Sequence, residues 1–294
     1  RGILFDFVRA TSCLSITRRE FANVEVVVLE SGYPVLLANK VPENIPVIYR
    51  QSDPVELVIS QNKRFASIER ELIARSHITI VVKKNILDYY QSRYPDLHRK
   101  MILSVNGFNI PDMYRNDSNV PNPYEKGTKN AVYLGYAPLD FETLEEYGCG
   151  INGIDYHIIG DCMNKKQIQT LSIHNNLHFY GNLPPEKYLP YIKHADLALV
   201  PYKRTWKPLE WAGLSSKYLL FMFFNLPIIS YRVGAISEFE GLPVTFCDTP
   251  VEFIQRVREI SSVMTKIDYK IDWDFYSREG RITELEKRIL STLG

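Results

Sequence analysis

Short apolar runs of strand length, each closed by a polar or glycine turn and spaced by helix-length stretches, constrain this chain most. Val24–Leu29 ends in Glu30-Ser31-Gly32, Pro46–Tyr49 ends in Arg50–Asp53, and Ile78–Val82 and Lys100–Ser104 follow. Between them lie a short helix Tyr33–Lys40 and helical patterns at Arg64–Ser76 and Asn85–Tyr94, while residues 1–20 read as the end of an amphipathic helix. Strands alternating with helices cannot pair as hairpins, so they predict a parallel, helix-flanked α/β sheet. Periodicity then stops where Pro111, Asn116, Asp117, Ser118, Asn119, Pro121, Pro123 and Gly127 crowd together, the composition of a linker. Alternation restarts at Ala131–Leu134 and continues through Tyr156–Ile159, Leu177–Tyr180, Ala195–Val200, Ile228–Tyr231 and Val244–Phe246. Helices are expected at Pro185–His194, Val251–Thr265 and Glu279–Leu293. The division expected is a first domain at 1–112, a linker at 113–130 and a second domain at 131–272. A terminal helix at 273–294 would cross back to the first domain.

Composition narrows the classes of function. A chain of 294 residues with 45% apolar and 23% charged residues can bury two cores. A net charge of +1 points to no nucleic-acid partner. Cys13, Cys149, Cys162 and Cys247 are scattered without a C-x-x-C pair, the pattern of reduced thiols in a cytoplasmic protein. No apolar run reaches the ~18 residues of a transmembrane span.

Two parallel sheets leave loops at the carboxyl ends of their strands, where ligands bind in open α/β folds. Gly135-Tyr136, Gly160-Asp161 and Gly181-Asn182 end three strands of the second domain. Each glycine is either an ordinary turn residue or a place where backbone approaches a ligand closely. Downstream, Ser215-Ser216-Lys217 opens a helix that runs to Phe224 and stops before Asn225 and Pro227. Ser215 and Ser216 are N-cap candidates, and a helix start presents unpaired N–H groups and a positive dipole end. Lys217 in that first turn opposes the dipole, which suits a diphosphate in front of it or, in the plainer reading, a solvated lysine. There is no G-x-x-x-x-G-K-[ST] loop and no G-x-G-x-x-G fingerprint, so ATPase and dehydrogenase readings lose ground.

Val26–Gly32, Tyr49–Asp53, Tyr191–Ala195, Pro201-Tyr202 and Lys217–Pro227 stand in the order and spacing that resembles the bacterial glucuronosyltransferases of xanthan assembly. The resemblance runs from about Glu25 to Arg281. It implies a GT-B fold, two Rossmann-like parallel-sheet domains facing a cleft, with the first sheet incomplete at its start. It also implies a metal-independent enzyme without cofactor, which transfers glucuronate from UDP-glucuronate to a polyprenyl-diphosphate-linked oligosaccharide. Residue by residue, it makes Asp53 the catalytic aspartate and Lys217 a nucleotide contact. Pro201-Tyr202 and the loop from Gly135 through Tyr136 and Ala137 to Asp140 become further nucleotide contacts. Asn182 stands where that family has glutamate and Leu220 where it has glutamine, and of the paired serines only Ser215 is in register.

Inverting transfer requires a base for the acceptor hydroxyl and a stabiliser for the leaving diphosphate. Asp53 is the base candidate, with pairing to Arg50 as its structural alternative. Glu30 is an acceptor-side candidate. Gly135, Tyr136, Ala137, Asp140, Gly160, Gly181, Asn182, Tyr202, Ser215, Ser216 and Lys217 are the nucleotide-binding candidates. No metal is expected, and Asp272-Trp273-Asp274 follows no strand. The function expected is an inverting UDP-sugar glycosyltransferase acting on a glycan or lipid-linked oligosaccharide in exopolysaccharide assembly. Its attachment to the inner face of the plasma membrane would be peripheral, through Lys83, Lys84, Tyr89, Tyr90 and Arg93. The alternatives are a sugar-nucleotide epimerase or a non-catalytic nucleotide-sugar-binding module.

Overall fold

The computed structural model describes residues 18–55, 63–109, 120–263 and 266–293, and the helix expected at the amino end lies mostly outside them. The chain divides into two compact units, residues 1–107 with 274–294 and residues 108–273. Residues 113–119 of the expected linker lie outside the described residues. Residues 120–128 pack onto the second unit, where the Val120 carbonyl meets His194 Nε2 at 2.8 Å and Tyr124 Oη donates to the Tyr191 carbonyl at 2.7 Å.

The first unit carries β1 (Val27–Glu30), β2 (Val47–Gln51), β3 (Ile78–Val81) and β4 (Met101–Leu103), all parallel and in sequence order. Helix α1 (Lys63–Arg75) leads from β2 to β3, and α2 (Lys84–Arg93) leads from β3 towards β4. Strands β1, β3 and β4 are shorter than the apolar runs that announce them, whereas β2 extends past its run to Gln51. Val26, for example, is exposed and precedes the first ladder pair, Val27 with Val47. The stretch Tyr33–Leu37 is a 3-10 turn, because Pro34 starts it and α1's Arg75 ties down the carbonyls of Ala38, Val41 and Pro42.

In the second unit, β5 (Lys129–Leu134) leads through α3 (Phe141–Gly150) to β6 (Ile154–Ile159). Then come α4 (Lys165–Leu171), β7 (Leu177–Gly181), α5 (Pro185–His194) and β8 (Leu197–Val200). Helix α6 (Ser216–Phe223) connects to β9 (Ile228–Tyr231), β10 (Val244–Cys247) and α7 (Pro250–Val263). The all-parallel order is β10-β9-β8-β5-β6-β7, so the winding direction reverses between β5 and β8. That switch point is where loops diverge and a crevice forms. Helices α3 and α4 are absent from the sequence reading, although their caps are legible. Asp140 Oδ1 accepts the Thr143 N–H at 3.1 Å, and Asn164 with Gln167 forms a capping box. Helix α6 buries Tyr218 through Met222 in succession, so it is a core helix. It ends at Asn225 in the left-handed conformation, φ 58°, the usual exit for a helix without glycine.

The carboxyl-terminal helix α8 (Arg278–Leu293) belongs to the first unit. Leu285 and Ile289 pack on buried Ile48, Ile78 and Ile80, and Arg288 donates to the Leu103 carbonyl at 3.1 Å. The fold class is therefore α/β with two all-parallel sheets, as expected.

Candidate active site

At the carboxyl edge of the second sheet the strand-end glycines close on one another. Gly135 N–H donates to the Ile159 carbonyl at 2.9 Å, and Gly160 N–H donates to the Gly181 carbonyl at 2.7 Å. Their φ values are 148°, 119° and 62° in the order Gly135, Gly160, Gly181, which side chains resist. A Cβ on Gly160 would stand 2.0 Å from the Gly135 carbonyl oxygen. Gly160→Ala should therefore lower stability by roughly 2–5 kcal/mol, from strained φ plus overpacking. An unchanged urea midpoint would show that the edge can yield.

This edge is one wall of a cavity of about 510 Å³ whose lining includes Gly135, Tyr136, Gly160, Asn182, Pro184 and Tyr188. Tyr136 Oη donates to Asn182 Oδ1 at 2.7 Å across its mouth. Four sequence candidates thus share one cavity, while Pro184 and Tyr188, at the start of α5, were missed. Leu183-Pro184-Pro185 is the available signal, since proline at a helix start sets a rigid loop wall.

Lys217 lies directly behind Gly135, and a Cβ there would come within 2.5 Å of its Nζ. The amine donates to Tyr133 Oη at 3.2 Å and lies 4.4 Å from the Tyr133 ring centroid and 4.9 Å from that of Tyr202. It is a half-buried cation between two buried rings, which corrects the solvated alternative. Burial pushes its pKa down to about 7. Ser215 occupies the N-cap position of α6, yet its side chain makes no cap bond and its buried Oγ has no partner. The expected serine cap is therefore absent, and Ser216 is an exposed first helical residue. An uncapped helix start, an orphaned hydroxyl and a half-buried amine together form a donor-rich corner. The approach to α6 is held by Glu238, whose carboxylate accepts the Leu214 N–H at 2.8 Å.

Asp140 is drawn off elsewhere. One carboxylate oxygen caps α3 and the other accepts from Arg204 Nε at 3.2 Å, leaving a buried side chain committed to structure. The Ala137 carbonyl accepts from Tyr133 Oη at 3.1 Å. Tyr202 pairs with Leu139 in an isolated bridge that ties the β8 loop to the β5 loop at the switch point.

In the first unit, Arg50 Nη1 donates to Glu30 Oε2 at 2.8 Å and to Ser52, and Nη2 donates to Asn106 Oδ1 at 2.5 Å. Arg50 is thus Glu30's partner, and the pairing with Asp53 is corrected. Asp53 is exposed, its N–H donates to Ser31 Oγ at 3.0 Å, and Lys83 Nζ stands 3.7 Å from Oδ1. Glu30 keeps a buried, unpartnered Oε1. Three of the residues expected at a membrane surface have partners within the unit. Tyr90 is buried with its hydroxyl on Glu69, Lys83 faces Asp53, and Lys84 pairs with Asp88.

Among the described residues, Asp155, His157 and His178 come together with candidate ligand atoms within 4.8 Å. Both ring nitrogens of His157 are already engaged, by Tyr180 Oη at 2.8 Å and Asn130 Oδ1 at 2.9 Å. Burial, aided by His178, holds this imidazole near pKa 3, so it is a neutral cross-link between strands.

Residues 145–262 match the family model described as Glycosyl transferases group 1. The UDP-glucuronate:glycolipid 2-beta-glucuronosyltransferase of Xanthomonas campestris pv. campestris is 27% identical over 212 residues, covering 70% of this chain and 48% of that protein. The chain thus spans about half the length of the curated relative it matches. Among solved structures, the lipopolysaccharide outer core galactosyltransferase WaaB aligns over 100% of this chain and 83% of its own, at TM-score 0.61 and 15% identity. Anabaena HepE in complex with UDP-glucose aligns over 93% and 80%, at TM-score 0.65 and 11% identity. A UDP-GlcNAc 2-epimerase from Methanocaldococcus jannaschii aligns over 97% and 81%, at TM-score 0.58 and 14% identity. These likenesses establish the two-sheet fold.

Proposed function

We propose that the chain is a glycosyltransferase that moves a sugar, with inversion, from a UDP-sugar to a glycan or lipid-linked oligosaccharide. The observation that carries this is the corner formed by Gly135, Lys217 and the uncapped start of α6 with its orphaned Ser215 hydroxyl. It offers a cation, free N–H groups and a hydroxyl to a diphosphate leaving group. The neighbouring cavity, edged by glycines and closed by Tyr136 and Asn182, has the volume and mixed lining for a nucleoside. The match to the group 1 transferases and the 27% identical glucuronosyltransferase favour transfer over epimerisation. The likeness to a glucuronosyltransferase that acts on a glycolipid favours glucuronate as the donor sugar and a glycolipid as the acceptor. Asp53 is the base in this scheme, and the diphosphate is held by protein groups without a metal.

A membrane-borne acceptor also predicts peripheral, salt-sensitive attachment. No helix among the described residues is long and apolar enough to cross a membrane. Co-sedimentation with anionic vesicles at low salt tests the attachment, and a fully unbound protein argues against it.

The direct test of the site is UDP titration by calorimetry. Lys217→Ala should weaken binding by about 1.5–3 kcal/mol, the range for a hydrogen bond to a charged group. Chelator should leave binding unchanged. Equal affinity of wild type and variant would move the diphosphate away from α6.

A further inference from the structure

Glu69 is a carboxylate in the middle of α1 and only 1% exposed. Burying such a group is costly unless every lone pair is used. Its Oε1 accepts from Tyr49 Oη at 2.6 Å, Gln51 Nε2 at 3.0 Å and Val55 N–H at 3.2 Å. Its Oε2 accepts from Val55 N–H at 3.1 Å and Tyr90 Oη at 2.9 Å. Two of these donors bracket one loop. Gln51 is the last residue of β2 and Val55 follows the loop, both fully buried, with exposed Asp53 midway between them. Tyr49 and Tyr90 brace the carboxylate from the strand and from α2. A leucine would fill the same space without the burial cost but would hold no loop.

We infer that Glu69 is the positioning residue for Asp53, the buried strap that fixes both ends of the 51–55 loop and so aims the base carboxylate. This rests on the reading of Asp53 as the base. A glutamine at this place keeps the shape but turns an amide NH2 toward donors, because an amide offers one acceptor atom where the carboxylate offers two. Either orientation of the amide leaves the Val55 N–H one acceptor in place of two, and sets the NH2 against Tyr90 or against Tyr49 and Gln51.

The test uses the full-length protein with UDP-glucuronate as donor, and combines turnover with hydrogen exchange. Glu69→Gln should lower kcat roughly 10–100-fold at unchanged donor KM, the scale of a small misplacement of a reacting group. UDP affinity should stay as in wild type, and the Val55 amide should exchange faster. Tyr90→Phe removes a brace without touching the loop, so it should lose stability while kcat stays within about threefold. Glu69→Gln combined with Asp53→Asn should be little slower than Asp53→Asn alone, since aiming an absent base is worthless. If Glu69→Gln does not accumulate folded, Gln51→Leu tests the same strap from the loop side by the same criteria. Wild-type kcat for the strap variant beside an impaired Asp53→Asn overturns the inference alone, as does a double variant slowed by the full product of the singles. Wild-type transfer by Asp53→Asn overturns the reading of the base and this inference with it.

Discussion

Asparagine in place of Asp53 should slow sugar transfer by roughly 10²–10⁴, the usual contribution of a positioned general base. The substitution keeps the size of the side chain and removes its ability to take the acceptor's proton. Folding should hardly notice, because Asp53 is exposed and its side chain meets Lys83 only at 3.7 Å, whereas the loop backbone hangs on Ser31 and Glu69. Exposed ion pairs contribute little, on the order of 0–1 kcal/mol. UDP affinity should stay at the wild-type value, since the Lys217 corner lies in the other unit. Initial rates with saturating donor, alongside calorimetric UDP binding, separate these effects. Transfer at the wild-type rate would make Asp53 structural and turn attention to Glu30, whose Oε1 is still unpartnered although Oε2 is held by Arg50.

UDP binding should draw in a proton above neutral pH and weaken about tenfold per unit between pH 7 and 9. The cause is Lys217, whose burial lowers its pKa from 10.5 to about 7 in the free protein. Only the ammonium form pairs with a diphosphate, and the diphosphate in turn holds the proton on the amine, so the bound pKa rises. Each unit of difference is worth about 1.4 kcal/mol. The unliganded protein shows the opposite trend. Between pH 7 and 10.5 the unfolded chain keeps the lysine's proton and the folded one has released it, so this group makes stability rise with pH through that window. Calorimetry at pH 8 in two buffers of different ionisation enthalpy measures the proton uptake. A value near zero in wild type, or the same value in Lys217→Ala, would count against a titrating Lys217. Steadier affinity from pH 7 to 9 in the variant is the matching expectation.

Among the described residues, periodicity alone located the ten strands of the two sheets, because a strand buried on both faces must be a short apolar run and a parallel connection must have helix length. It also marked Gly135, Gly160 and Gly181 as strand ends and placed the start of α6 within a residue. Among the described residues, helices α3 and α4 escaped it. Helices α3 and α4 announce themselves through capping residues, Asp140 with Thr143 and Asn164 with Gln167, and not through a clean apolar stripe. The resemblance to the xanthan glucuronosyltransferases then put names to Asp53 and Lys217.

What the tertiary structure alone decided is partnership and burial. Arg50 lies three residues from Asp53 yet binds Glu30, twenty residues away, because adjacent parallel strands bring their carboxyl ends side by side. The resemblance makes Asp140 a nucleotide contact, but Arg204 from the β8 loop and the α3 cap take both of its oxygens. Lys217 reads as any helix-start lysine until the switch point sets Tyr133 of β5 and Tyr202 after β8 around its amine. Glu69 has an ordinary charged-helix setting in sequence, and only the packing of α1 and α2 against β2 turns it into a buried acceptor for the Asp53 loop. Local periodicity encodes which face of an element is apolar. Which polar groups meet, and how dry their meeting place is, depends on strand order and loop crossings that no local pattern carries.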